Sequence, residues 1–91
     1  MRVLLVLSHP VRESFAHAVQ RSAVRGLERA GHEVRVLDLY AIGFDPVMSA
    51  EDRLSYHTPG ENEQPVTEHL GHLRWAEGLV FVYPTWWYSL P

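Results

Sequence analysis

The sequence contains no cysteine, which excludes disulfides, thiolate zinc sites and a cysteine nucleophile together and leaves the redox compartment unspecified. An excess of positive charge is missing too: 8 Lys and Arg stand against 11 Asp and Glu, for a formal net charge of −3. That balance offers neither the basic stripe used on nucleic acid nor a polybasic membrane patch. The first apolar run, Val3–Leu7, follows directly on Met1 and Arg2. It is too short for a signal-peptide core or a membrane span, so a cytoplasmic location without membrane insertion is expected. No repeat, low-complexity tract or linker interrupts the 91 residues, which read as one small domain burying about 60–65% of its unfolded surface. A small-molecule partner fits these absences best.

What is present is organised around residues 2 to 19. Val3 to Leu7 do not alternate with polar residues, the pattern of a strand buried on both faces of a parallel sheet. Ser8, His9, Arg12 and Ser14 follow, gathering donors where the N–H groups of a starting helix point outward and can bind phosphate or another anion. Ser14 is a natural N-cap; Phe15, Val19, Ala23, Leu27 and Ala30 then recur at helical spacing, predicting a stripe against the sheet, with Gly31 as the stop. Glu33 to Tyr40 reads as a second strand with one less protected face, at a sheet edge.

Between Ala41 and Pro65 the pattern is weaker. Ser49 to Asp52 resemble a short capped helix start, and His57–Pro65 reads as a polar surface loop. Val66, Leu70, Leu73 and Glu77, with Trp75 and Ala76, mark a helix stopped by Gly78. Leu79 to Tyr83 form a third continuous apolar run, read as a buried parallel strand. PTWWYSLP closes the sequence.

The expected fold class is therefore α/β, a flavodoxin-like three-layer arrangement with a parallel sheet of order 2-1-3, lacking the last two strands of the usual 2-1-3-4-5. In such sheets a ligand sits outside the carboxyl ends of strands 1 and 3, where the order reverses. Those ends carry Ser8–Ser14 and Pro84–Pro91. An anion site faces three adjacent aromatics, Trp86, Trp87 and Tyr88, stiffened by Pro84 and Pro91. That combination suits a flavin nucleotide.

SHPVRESFAHAV, DLYAIGFDPVMS and VYPTWWYSLP together resemble the flavodoxin-like NAD(P)H dehydrogenase (quinone) family in its own segment order. The resemblance implies a homodimeric flavoenzyme that takes hydride from NAD(P)H onto FAD or FMN and reduces a quinone. It also implies that His9, Ser14, Phe15 and Ala16 hold the flavin phosphate or pyrophosphate. By the same resemblance, Pro84, Thr85, Trp86, Trp87 and Tyr88 would border the isoalloxazine, with Trp87 and Tyr88 walling the substrate pocket. Ala16 stands where many relatives carry Asn, and the family's further helix and two strands are absent. A non-catalytic remnant or partner-binding module, and a flavodoxin-like electron carrier, are the rival readings. Ser14 with His9 does not make a hydrolase pair, since no GxSxG elbow exists and a helix cap explains Ser14. His57, His69 and His72 read as a solvated set rather than a metal site.

Overall fold

The computed structural model describes residues 1–85. They form two compact units, one of Met1–Phe44 with the residues from Ala76 onward, the other Asp45–Trp75.

The first unit holds three strands, β1 (Arg2–Leu7), β2 (Glu33–Asp38) and β3 (Gly78–Val82), and the helix α1 (Phe15–Arg29). The sheet is parallel throughout, with β1 central in the order β2-β1-β3. The flavodoxin-like order expected from the sequence is the one observed. Continuous apolar sequence explains the central place of β1: Val3, Leu4, Leu5 and Leu7 are all buried, as a strand covered on both faces requires. Side chains opposite one another in a parallel ladder share a face. Leu5 lies beside Val80 and Leu7 beside Val82, and this face packs on Ala16, Ala23 and Val24 of α1. The alternate face carries Leu4 beside Leu79 and Val6 beside Phe81. There the expectation of a fully buried third strand fails: Leu79 is 48% and Phe81 60% exposed. With order 2-1-3 β3 is the edge of the described sheet, and an apolar run specifies a strand without specifying what covers it.

Several boundaries also move. The stripe predicted through Phe15 and Val19 is rotated, because Ala16 and the ring of His17 turn inward while Phe15 stays 84% exposed. The helix ends as predicted, with Gly31 at φ +87° and bonds from Gly31 N to Glu28 O and from His32 N to Leu27 O, each 3.0 Å, the Schellman arrangement. Strand β2 stops at Asp38, two residues before Tyr40, because Asp38 opens a turn: its Oδ1 accepts the Ala41 N–H at 3.1 Å and its carbonyl accepts Ile42 N–H. Gly78 begins β3 instead of stopping a helix. The preceding helix already ends at Trp75, and Glu77 N–H bonds to Arg2 O at 2.8 Å.

In the second unit, α2 (Ala50–Leu54) carries the cap read from sequence. Ser49 Oγ accepts the Asp52 N–H and Asp52 Oδ2 accepts the Ser49 N–H, both at 3.0 Å, a reciprocal capping box. A 3-10 turn at Gln64–Val66 leads into α3 (Thr67–Trp75). The predicted loop 57–65 is a run of bonded turns, among them Thr58 N–H to Ser55 O and Asn62 N–H to Thr58 O. Its last two residues already belong to the 3-10 turn, because Pro65 tolerates the first turn of a helix where its missing N–H goes unused.

Candidate functional site

Two hydrogen bonds draw the loops at the carboxyl end of the sheet together. Ser8 N–H donates to Val82 O and Leu39 N–H to Leu7 O, both at 3.0 Å, extending the β1 ladders one residue past the strand. The turn that follows β1 is thus held beside the end of β3. Within it, Ser14 N–H reaches Val11 O at 3.2 Å, and Val11 N–H donates to His9 Nδ1 at 3.0 Å. Because Nδ1 accepts, a neutral His9 carries its proton on Nε2.

Ser14 is the N-cap in extended conformation, its Oγ accepting the His17 N–H at 3.2 Å. The amides of Phe15 and Ala16 lie in the first turn of α1, where the helix offers no acceptor of its own and its dipole is positive. No acidic residue sits in that turn. His9, Phe15, Ala16 and Val19 form one wall of a cleft of about 450 Å³, and Phe81, Val82, Tyr83, Pro84 and Thr85 form the other. Its volume is that of an ordinary small-molecule site. A depression of about 840 Å³ in the second unit is larger but is lined by Glu51, Asp52 and Glu61, an acidic border that opposes an anionic ligand.

Of the residues expected at the site, His9, Phe15, Ala16, Pro84 and Thr85 line this cleft, and Ser14 caps the helix that opens into it. Trp86, Trp87 and Tyr88 lie outside the described residues. Sequence reasoning missed Phe81 and Tyr83, read as part of a buried strand, and His17. The sign of His17 was available: it stands three residues after the capping serine, so its ring shares a helix face with the cap. Among the described residues no group of three or more His, Cys, Asp or Glu could hold a metal, and no helix is long and apolar enough to cross a membrane.

The family model described as flavodoxin-like fold matches residues 1–91. The chain belongs to this flavodoxin-like family. Relatives of this flavodoxin-like chain include a ribosyldihydronicotinamide dehydrogenase-like protein of Penicillium crustosum, 35% identical across 100% of this chain and 40% of that protein. NAD(P)H dehydrogenase [quinone] 1 of Cavia porcellus is 34% identical across 99% of this chain and 38% of its own length. Among solved structures, the NAD(P)H:quinone oxidoreductase from Methanothermobacter marburgensis superposes with a TM-score of 0.89 at 33% identity, covering 100% of this chain and 48% of that one. The chain thus spans less than half the length of these relatives.

Proposed function

We propose that the chain is the cofactor-binding part of a flavin-dependent NAD(P)H oxidoreductase that reduces quinones or similar acceptors by two electrons. The observation that carries this reading is the cleft itself, in which the donor-rich first turn of α1 and the loop after β3 meet at the carboxyl ends of β1 and β3. The names of the relatives support the reaction class. The residues suit a flavin nucleotide: uncapped amides and an Nε2–H for the phosphates, and apolar walls at Phe15, Val19 and Phe81 for the remainder of the molecule.

In this proposal the amides of Phe15 and Ala16, the Nε2–H of His9 and the hydroxyl of Ser14 bind the phosphate or pyrophosphate. Pro84, Thr85, Trp86, Trp87 and Tyr88 border the isoalloxazine, with Pro84 fixing the backbone direction. Trp87 and Tyr88 wall the position where nicotinamide and acceptor alternate, excluding water and orienting the reacting faces. Hydride acceptance and two-electron transfer are the chemistry that a bound FAD or FMN supplies. The choice between the two flavins turns on whether the adenylate finds contacts beyond the cleft. A homodimer is part of the proposal. Titration with FAD and FMN followed by flavin fluorescence, with NADPH oxidation measured with and without menadione, tests it. Saturable quenching and menadione-dependent turnover are expected; absence of flavin binding at high micromolar concentration removes the proposal for this chain.

The second reading, a module that binds a partner or itself, is favoured by one observation: Leu79 and Phe81 project from the edge strand β3 with 48% and 60% of their surface exposed. Flat apolar edges are normally covered. Sedimentation velocity separates the readings, since a stable monomer that binds flavin argues against the module.

A further inference from the structure

Three polar side chains run in a line from the first turn of α1 to the end of β2. Ser14 Oγ lies 2.8 Å from His17 Nδ1, and on the far side of the ring Nε2 lies 3.5 Å from Asp38 Oδ2. His17 is 8% exposed, so its nitrogens depend on these partners rather than on water. The other charged or titratable groups around it are few. His9, from the β1–α1 turn, meets it edge-on with ring centroids 6.2 Å apart. Strand β3 contributes none, and β1 contributes only Arg2, at its opposite end. On the α1 side Glu13 precedes the cap and Arg21 stands one turn beyond. Asp38 is the charge that faces the ring.

A carboxylate only accepts, so of the two neutral tautomers of His17 Asp38 favours the one with its proton on Nε2. Nδ1 then presents a lone pair, and the 2.8 Å contact requires the Ser14 hydroxyl to donate into the ring. The single proton of Ser14 is committed there. Protonation of the ring reverses the contact: Nδ1–H donates to Ser14 Oγ, and the hydroxyl proton turns towards the first turn of α1. We propose that His17 is a proton-linked positioning residue that switches the Ser14 hydroxyl into a donor for a bound phosphate, so that the diphosphate of FAD and a proton on His17 bind together. The inference rests on the proposed function, which assigns this helix turn to the flavin phosphates.

FAD is the probe, because its diphosphate diester keeps the same charge over the range in which imidazoles ordinarily titrate. Titrating the full chain from about pH 5.5 to 8 is expected to show affinity falling about tenfold as pH rises, the loss of one hydrogen bond to a charged acceptor. Calorimetry in two buffers of different ionisation heat shows net proton uptake. In His17→Gln the slope disappears, whereas His9→Gln weakens binding and keeps the slope. A wild-type affinity independent of pH, or a His17→Gln variant with the wild-type slope, overturns the inference while flavin binding leaves the proposed function standing. If no FAD binds at any pH, the proposed function falls and the inference, which rests on it, falls with it. If His17→Gln does not fold, the ¹⁵N shifts of the His17 ring in the unmodified chain with FAD bound decide: ring protonation that rises on binding sustains the switch, and an Nδ1–H tautomer of the neutral ring overturns it.

Discussion

Replacing Ser14 separates its structural duty from its duty to a ligand. Ser14→Ala removes the acceptor for the His17 N–H, a capping loss of about 1 kcal/mol. It also leaves His17 Nδ1, now 2.8 Å from Oγ, buried without that partner, a further loss of about 1–3 kcal/mol. The expected total is about 2–4 kcal/mol, large beside the roughly 5–14 kcal/mol that a domain of this size holds in all. Urea unfolding followed by far-UV circular dichroism reads it as a midpoint lowered by about 2–4 M at a slope near 1 kcal/mol/M. Ser14→Asp keeps an acceptor at the cap and places a negative charge at the positive end of α1, so it recovers the capping part of the loss but, with no proton to give, not the donor to His17 Nδ1, and its midpoint falls between those of Ser14→Ala and wild type. That carboxylate faces the phosphates, and FAD affinity is expected to fall at least about tenfold, since like charges in contact oppose each other by more than a kcal/mol. A Ser14→Ala variant destabilised by less than about 0.5 kcal/mol would refute the account of the cap. Unaltered FAD binding by Ser14→Asp would refute the placement of the anion.

Leu5 is 0% exposed at the centre of the core, so Leu5→Ala is expected to cost about 3–5 kcal/mol in urea unfolding. Ala16→Asn restores a side-chain donor at a cleft position; flavin titration should show affinity rising about fivefold, the worth of one added hydrogen bond. Asp52 is held below its ordinary value of 3.8 by the Ser49 N–H and then by the Ser49 hydroxyl. A depressed carboxyl stabilises above its unfolded value and loses that contribution as pH falls through the folded one. The protection of the α2 amides, taken against their intrinsic exchange rates, should therefore fall below about pH 4, and Asp52→Asn should show no such step. Glu77 is likewise lowered from 4.5, chiefly by the Arg2 N–H that it accepts at 2.9 Å and then by the Arg2 charge. NMR titration of Glu77 should follow, with Arg2→Ala moving its midpoint upwards only in part because the backbone donor remains.

The order of the sheet and the cleft at its carboxyl end were legible because they depend on a few strong local signals. An unbroken apolar run demanded a central strand, Ser14 a helix start, Gly31 a helix stop, and the sum fixed which two loops meet. What was not legible depended on partners distant in sequence. Asp38 ends β2 through its own side chain, which strand patterning does not register. The exposure of Leu79 and Phe81 follows from the face they share, since Val82 on the other face of the same edge strand is buried against α1. Periodicity placed Phe15 on the inward stripe, but Ala16 and His17 occupy that space, the one by being small and the other by finding Ser14 and Asp38. The serine beside His17 is local and could be read from the spacing, but its second partner, Asp38, is invisible until the helix and the end of β2 are brought together.

The central position of β1 also sets the order in which the molecule is assembled. Pairing with β2 joins residues 31 apart, as at Met1 and His32, whereas pairing with β3 joins residues 75 apart, as at Arg2 and Glu77. The longer closure loses about 0.8 kcal/mol more chain entropy, and distant pairings form slowly. Pulsed hydrogen exchange during refolding is expected to protect the amides of β1 and β2 before those of β3. One wall of the cleft, from Phe81 to Thr85, then comes into being only with β3, so a cofactor present during folding finds the turn of α1 first and gains its second wall, and most of its grip, when β3 docks.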